Sequence, residues 1–314
     1  DRLKSTDKKS YPILMFRVFC KIRRLLYKTK AEKNADKLKR ARIDAFREFT
    51  KVNISETPFS IVPDKIPIGL GENYRWFIVG SDQVWNPHFR EGSHIDFLTF
   101  APKEKRIAYA ASFGISELPE KYVKNYRKWL SEMDSISVRE EDGAKIVKSL
   151  IDREVPVLVD PTLVLCKEKW MEVAKPARYR PNKAYLLTYF LGDLSEDKVK
   201  WMKSVAKGSD LEFVNMADIK DEARYSADPS EFIDYINNCS VFCTDSFHGV
   251  VFSILFEKPF IVFDRVSRTP SMNSRIDTLL SKFQLENRKW DEIKNNQNAF
   301  NIDFSHVTPI LEEE

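Results

Sequence analysis

The chain has 314 residues, of which 43% are hydrophobic and 12% aromatic, enough for about two domains with sizeable cores. No apolar run approaches the ~18 residues of a membrane-spanning helix, so the composition predicts a soluble globular protein. The four cysteines, which include Cys239 and Cys243 in a CxxxC pair, fit neither a disulfide framework nor a zinc site. No secretory signal is visible after Asp1, and together these features favour a reducing, cytoplasmic location.

Basic charge is concentrated in an N-terminal arm, residues 1–52. This arm carries 17 Lys/Arg and 6 Asp/Glu, whereas the rest of the chain carries 34 and 41. Apolar residues at helical spacing in 12–30 and in 35–51 predict two helices. The arm is either a solvated helix face that packs on a domain or an interfacial helix that docks on anionic lipid. It shows no motif of a nucleic-acid reader, so no nucleic-acid partner is expected.

Short apolar strands alternate with amphipathic helices from residue 76 onward, which predicts parallel sheets. Strands are predicted at 76–80, 106–112, 135–138, 155–161, 184–191, 211–216, 240–244 and 258–263. Helices are predicted at 117–133, 142–151, 195–207, 228–238, 246–256 and 275–283. Asp228, Pro229 and Glu231 give the helix at 228–238 a strong start signal.

The pattern predicts an α/β protein with two doubly wound, Rossmann-like units joined by a basic, proline-containing linker at 174–183. The predicted boundaries are 1–52 for the arm, 53–175 for the first unit, 184–290 for the second unit and 291–314 for a C-terminal tail. Two such units joined by a short linker indicate a cleft between them.

Four polar loops follow predicted strands directly, where open α/β sheets bind their ligands. They are SDQVWNP (81–87), SFG (112–114), RE (139–140) and TDSFHG (244–249). Each has a structural alternative. Asp82 could cap a turn, Arg139 could form a surface bridge with Glu140 or Asp142, and His248 could be a satisfied structural histidine.

Together the loops indicate a metal-free site for an anionic ligand. Thr244, Asp245 or Ser246 could cap a helix beginning near Phe247, whose N-terminal N–H groups would favour an anion. Gly249 would let a ligand or another backbone segment approach closely. Arginine binds phosphate or carboxylate in a bidentate manner, and an Asp facing a His could share acid–base work.

Five segments resemble the polysaccharide pyruvyl transferase family, in order over roughly residues 75–285. They are FIVGSDQVWNP (77–87), IAYAASFG (107–114), DSISVREEDG (134–143), VDPTLVL (159–165) and TDSFHGVVFSILFEKPFIVF (244–263). The resemblance implies a glycosyltransferase-B-like fold. It also implies transfer of a pyruvyl group from phosphoenolpyruvate to two hydroxyls of a sugar, which forms a cyclic ketal without a metal or other cofactor.

The resemblance also implies roles for three residues. His248 would be the general acid, Asp82 the base or orienter of the acceptor hydroxyl, and Arg139 a ligand of the donor's anionic group. Residues expected to bind substrate lie in the same loops and in the late helix; they are Ser81, Gln83, Asn86, Ser112, Thr244, Asp245, Ser246, Gly249 and Arg275.

The chain departs from the family pattern at two places. Many members have arginine at the position of Ser246, and here Arg265, Arg268 or Arg275 could supply that charge. Members also begin with a strand and a loop rich in asparagine, tyrosine and glycine. No such segment is found before the basic arm in this sequence. The expectation is either a chain that lacks its natural N-terminus or an atypical first domain.

The implied acceptor is a sugar of a cell-surface polysaccharide or a lipid-linked precursor. The expected location is cytoplasmic, with possible peripheral contact of the arm with the inner membrane face. Two alternatives stay open. One is a glycosyltransferase that uses a nucleotide sugar on the same fold. The other is a non-catalytic glycan-binding or scaffold protein. This alternative is supported by the serine at position 246, where many family members have arginine.

Overall fold

A computed structural model describes residues 29–266, 273–294 and 300–313 of the chain. The predicted helix at 12–30 falls almost entirely outside these ranges, as does Arg268. Within the described ranges, no helix combines the length and the apolar character needed to cross a membrane.

The first sheet is parallel, with its strands in the order β1 (Phe77–Val79), β2 (Arg106–Ala111) and β3 (Ser135–Val138). Its register pairs Ile78 with Ile107 and Ala108 with Ile136. The predicted strand at 155–161 is reduced to a parallel bridge between Val157 and Val138 at the edge of the sheet. All carboxyl ends of this sheet therefore point the same way.

The first sheet shares its unit with three helices, α2 (Pro87–Arg90), α3 (Glu120–Ser131) and α4 (Glu141–Ile151). Its core joins apolar side chains of the strands and helices, and the aromatic rings of Trp85 and Phe97 stack at 5.2 Å within it. Tyr126 of α3 donates a hydrogen bond from its hydroxyl to the Trp85 carbonyl at 3.1 Å. The loop that follows β1 is thereby fixed to the helical layer.

The second sheet is also parallel, and its strand order is β5–β4–β6–β7. These strands are β4 (Tyr185–Tyr189), β5 (Glu212–Asn215), β6 (Val241–Thr244) and β7 (Phe260–Val262). Strand β4 comes first in this unit and lies between β5 and β6. The direction in which successive strands are added to the sheet therefore reverses beside β4. Ligand crevices of doubly wound sheets form at such a reversal, beyond the carboxyl ends of the strands.

The helices of the second unit are α5 (Lys167–Val173), α6 (Glu196–Gly208), α7 (Glu222–Tyr225), α8 (Pro229–Asn238), α9 (Phe247–Leu255) and α10 (Ser274–Lys282). Two short helices, α11 (Trp290–Ile293) and α12 (Val307–Glu313), complete it. The start signal predicted for α8 is confirmed, because Asp228 and Glu231 form a capping box. Cys239 and Cys243 are buried here, and burial raises the pKa of Cys239 to about 12.

The segment between the units packs on the second one. Val159 and Leu163 belong to the core of the second unit, and Trp170 of α5 packs against it. Within the predicted linker, Arg178 pairs with Glu231 at 2.9 Å and Arg180 pairs with Asp234 at 2.8 Å. The chain from about residue 159 onward therefore packs with the second sheet.

One long helix, α1 (Lys30–Asn53), lies against the second unit. Its Leu38 is buried, and Arg42 donates to the Tyr225 carbonyl at 3.2 Å and to the Tyr189 hydroxyl at 3.1 Å. Arg42 also lies over the rings of Tyr225 and Tyr189. The helix predicted at 35–51 is thus present, and it packs on α7, α8 and the end of β4.

Two parallel sheets with helices confirm the α/β class and are consistent with Rossmann-like units. The glycosyltransferase-B-like arrangement stays a prediction. The units touch beside the strand ends, where the Glu141 N–H donates to the Thr278 hydroxyl of α10 at 3.4 Å. Lys282 of α10 reaches the Val157 carbonyl at 3.1 Å. These contacts close one side of the space between the two units.

Candidate active site

Asp160 is the centre of the polar network between the two units. Its Oδ2 accepts hydrogen bonds from the Arg139 guanidinium, at 2.6 Å, and from the Ser81 hydroxyl. The same Oδ2 lies 3.6 Å from Nε2 of His248. Residues from the loops after β1 and β3 therefore meet a residue of α9 on one carboxylate oxygen.

Local hydrogen bonds hold the Asp160 carboxylate in this position. Its Oδ1 accepts from the Thr162 N–H at 3.0 Å and from the Thr162 hydroxyl at 2.7 Å. Asp160 thereby caps a 3₁₀ turn, Pro161–Leu163, and its side chain is 1% exposed. Sequence reasoning missed this residue, although an Asp–Pro step at the end of a predicted strand marks it.

Asp160 stays ionised despite its burial. Burial alone would raise the pKa of the carboxyl. The hydrogen bond and charge of His248, the charge of Arg139 and the Ser81 hydroxyl outweigh it, and they hold the pKa well below its usual range. A fixed negative charge therefore lies 3.6 Å from Nε2 of His248.

His248 is the exposed member of its loop. Its side chain is 42% exposed, whereas Thr244, Asp245, Ser246, Phe247 and Gly249 are buried. It occupies the first turn of α9, and its ring meets the ring of Phe247 edge-on at 5.4 Å. The imidazole is thus accessible for proton exchange with a bound molecule, and the Asp160 carboxylate lies 3.6 Å from its Nε2.

Asp82 lies on the opposite side of the network and faces solvent. Its side chain is 71% exposed, and its Oδ1 accepts from Arg139 at 3.4 Å. Its backbone has φ of +29°, in the left-handed region, and its carbonyl accepts from the Ser112 N–H at 2.9 Å. The loop backbone is therefore anchored while the carboxylate faces solvent.

Arg139 is buried, which corrects the surface-bridge alternative. Its side chain is 1% exposed and pairs with Asp160 and Asp82 rather than with Glu140 or Asp142. Its guanidinium lies 4.2 Å from the centre of the Phe247 ring, and among the described residues its Nε has no hydrogen-bond partner. Arg139 joins the strand-end loops of the first sheet to the first turn of α9.

Gln83, Asn86 and Ser112 make contacts within the first unit. The Asn86 amide donates to the Gln83 side chain at 2.8 Å, and its own oxygen accepts from the His88 N–H at 2.9 Å. Ser112 is fully buried and donates to Oε1 of Glu140 at 3.0 Å. These contacts shape the loops after β1 and β2.

Thr244, Asp245, Ser246 and Gly249 make contacts within the second unit. Asp245 accepts the Leu191 and Gly192 N–H groups at 2.8 Å each, and the Ser246 hydroxyl accepts from the Gly249 N–H at 3.3 Å. Thr244 donates to the Tyr189 carbonyl at 2.6 Å. A Cβ at Gly249 would lie 2.9 Å from the Phe242 ring, so the close approach there is helix α9 against β6.

Two of the three arginines considered as replacements for the family arginine lie in the described ranges. Arg265 contacts the Asp245 carboxylate at 3.3 Å and its carbonyl at 2.8 Å. Arg275 of α10 is 5% exposed, and its guanidinium lies 5.7 Å from the Phe247 ring centre. Burial and then the nearby charge of Arg139 lower the pKa of Arg275 to about 10. Arg275 therefore adds its charge on the Phe247 side of the site.

The described part of the chain contains no group of three His, Cys, Asp or Glu side chains arranged to hold a metal ion. The side chains that meet at Asp160 are those of acid–base and anion chemistry on a pair of α/β units. They define a class of protein: a two-unit α/β protein with a buried charge network at the strand ends.

The comparison with protein families identifies the group within that class. The sequence model for polysaccharide pyruvyl transferase matches residues 3–267, most of the chain, so the chain belongs to this family. The match includes every strand of both sheets, together with Asp82, Arg139, Asp160 and His248. Neither a curated protein nor a solved structure matches the chain.

Proposed function

We propose that the protein transfers a pyruvyl group from phosphoenolpyruvate to two hydroxyls of a sugar and forms a cyclic ketal. The observation that carries the proposal is the meeting of Ser81, Arg139 and His248 on one carboxylate oxygen of Asp160. This unites a proton donor with arginine charge at the strand ends, in a chain that belongs to the pyruvyl transferase family.

His248 is the general acid of this reaction. It gives its proton to C3 of the enol, so that the C2–C3 double bond becomes a methyl group and C2 becomes electron-poor. A sugar hydroxyl then attacks C2 and loses its proton. Asp160 orients the imidazole for this step, because its carboxylate lies 3.6 Å from Nε2.

Asp82 is the base or orienter for the attacking hydroxyl, since its carboxylate is exposed to the cleft. The C2–O bond to phosphate then breaks, inorganic phosphate leaves, and the second hydroxyl attacks C2 and loses its proton. Each transfer thus consumes one phosphoenolpyruvate and gives one ketal and one phosphate. The second hydroxyl's proton reprotonates His248, and the first passes through Asp82 to the departing phosphate oxygen.

Arg139 and Arg275 provide the positive charge for the donor's phosphate and carboxylate. Arg139 is too buried for broad contact, so it acts mainly through its field and by holding Asp160 and Asp82. Ser81, Gln83 and Asn86 border the donor on the first unit. Ser112, Thr244, Asp245, Ser246 and Gly249 shape the loops around it.

The acceptor is a sugar of a cell-surface polysaccharide or its lipid-linked precursor, and no cofactor besides the donor substrate is required. The two units form a glycosyltransferase-B-like arrangement, with the donor in the cleft between them. The reaction takes place in the cytoplasm. The basic arm brings the protein to anionic lipid on the inner membrane face.

The test is phosphate release from phosphoenolpyruvate with a panel of sugar acceptors. Release that depends on the acceptor supports pyruvyl transfer. Thermal stabilisation by a nucleotide sugar, with none by phosphoenolpyruvate, would instead indicate a glycosyltransferase. No effect of either ligand would indicate a glycan-binding or scaffold protein. Vesicle flotation with anionic lipid, before and after deletion of residues 1–30, tests the membrane contact, which unchanged binding would refute.

A further inference from the structure

Glu140 lies beside the candidate active site and takes no part in the mechanism above. The residue is fully buried between β3 and α4. Its Oε1 accepts three hydrogen bonds from the loop after β2, from the Ser112 hydroxyl at 3.0 Å, the Phe113 N–H at 2.8 Å and the Gly114 N–H at 3.0 Å. One carboxyl oxygen therefore ties loop 112–114 to the loop that carries Arg139.

The other carboxyl oxygen has different surroundings. Oε2 is buried and has no hydrogen-bond partner among the described residues. The surrounding chain is closely packed, because a Cβ at Gly143 would lie 3.3 Å from the Phe113 and Val138 side chains and 3.5 Å from Oε1. An ionised carboxylate with one oxygen left bare in such surroundings is costly, and a proton on Oε2 removes most of that cost.

The charged groups that act on Glu140, in the described ranges, are Arg139 on its own loop and Arg275 on α10. Burial raises the pKa of Glu140 and outweighs the opposing effects of the Gly114 N–H, Arg139, Ser112 and Arg275. The two arginines lie over the same ring, that of Phe247. Arg139 already pairs with Asp160 and Asp82, so an ionised Glu140 would add a third carboxylate charge beside these two arginines.

We propose that Glu140 is an uncharged positioning residue, which fixes the loop of Arg139 without adding a further negative charge where a dianionic donor binds. The clamp needs only Oε1 as an acceptor, and the carbonyl oxygen of an uncharged acid is such an acceptor. The two arginines then keep their field toward the cleft. This inference deepens the proposed function and rests on it only for the identity of the dianion.

The experiment measures binding of inorganic phosphate to the full chain at pH 7 by calorimetry, for wild type, Glu140→Gln and Glu140→Ala. Glutamine keeps the acceptor and cannot ionise, so its affinity should equal that of wild type within about twofold. Alanine removes the clamp and should weaken binding roughly tenfold, a loss that glutamine does not share. Glu141→Gln, at the exposed neighbouring position, is the control and should change nothing.

Two results would overturn the proposal. Roughly tenfold tighter phosphate binding by Glu140→Gln would show that Glu140 is ionised, because the substitution would then remove a negative charge. Wild-type affinity in Glu140→Ala would show that the clamp positions nothing.

Infrared spectroscopy measures the proton on Glu140 directly. Wild type at pH 7 should show a protonated-carboxyl band that Glu140→Gln lacks, and identical spectra would refute the uncharged state. This measurement needs no ligand and therefore stands apart from the proposed function. Failure of wild type to bind either phosphate or phosphoenolpyruvate would count against the donor chemistry, while the infrared result still decides the state of Glu140.

Discussion

The strand-end loops of the two units use their polar side chains differently. In the first unit, Arg139 donates to Ser81, Asp82 and Asp160. Ser81 also donates to Asp160, and Asp82 remains largely exposed. In the second unit, the polar groups of residues 244–246 bond to backbone N–H and carbonyl groups of their own sheet and helix. There, only His248 among residues 244–249 reaches outward.

The difference shows that similar polar loops serve two purposes. The second-unit loop builds a rigid turn from β6 into α9, and this turn holds one imidazole at the cleft. The first-unit loops assemble a charge network around that imidazole. Substitutions in the turn should therefore lower stability, and substitutions at the exposed groups should lower turnover.

The largest effect should come from Asp160→Asn, which keeps the shape of the side chain and removes its charge. Arg139 would be left buried without its nearest anion, so the free energy of unfolding in urea should fall by about 3–5 kcal/mol. Asp82→Asn is the control, because this exposed partner of the same arginine should change stability by less than about 1 kcal/mol. Equal losses in the two variants would contradict the central place of Asp160.

The comparison of wild type with Asp160→Asn also predicts a pH dependence of stability. Because the pKa of Asp160 is lowered in the folded protein, its contribution to stability is present above the unfolded value of about 4 and is lost as the pH falls toward the folded value. The difference in unfolding free energy between wild type and Asp160→Asn should therefore shrink below about pH 4. A difference that grows on acidification would reverse the assigned sign.

The next effect should be that of Asp245→Ala, a change within the second-unit turn. It leaves the Leu191 and Gly192 N–H groups and Arg265 without this carboxylate, and unfolding free energy should fall by about 3 kcal/mol. Asp193→Ala, at an exposed position in the following loop, should cost less than about 0.5 kcal/mol. A similar, small loss for both would show that the turn does not depend on Asp245.

His248→Ala should show the opposite pattern. Loss of a general acid lowers kcat about 10²-fold or more. The imidazole is partly exposed, so urea denaturation should show little loss of stability. His248→Gln, which keeps a polar side chain but no acid, serves as the comparison and should be similarly slow. Near-normal turnover in either variant would remove His248 from the mechanism.

The smallest effect should come from Ser246→Ala. The Ser246 hydroxyl caps α9, and loss of such a cap costs about 1 kcal/mol. Turnover should change only a few-fold, and Ser246→Asn should restore stability because asparagine is an equally good cap. A large loss of turnover with unchanged stability would instead assign Ser246 to the donor.

Local patterns predicted most of the fold. The strand at 135–138 has the predicted bounds, and the capping box of α8 follows from Asp228, Pro229 and Glu231. The predicted strand at 155–161 was only partly right, because those residues form an edge bridge and then turn at Asp160. Such features depend on residues close to one another in the chain, so they can be predicted from the sequence alone.

The site was predicted less completely for a physical reason. The rule about strand ends found the loops of Asp82, Arg139 and His248. It did not single out Asp160, which stands at the end of a predicted strand but whose importance depends on contacts with residues 21 and 79 positions away. Likewise, only the structure shows that Asp245 bonds to Leu191 and Gly192.

The most direct test of the proposed chemistry is to run the transfer in heavy water and examine the product by mass spectrometry and NMR. Protonation of C3 converts the donor's methylene group into the methyl group of the ketal, so each transferred pyruvyl group should carry at least one deuterium on that methyl. Labelling should proceed at the rate of phosphate release, and both should slow together in His248→Ala. A ketal without methyl deuterium, or phosphate release without a ketal, would contradict pyruvyl transfer by this site.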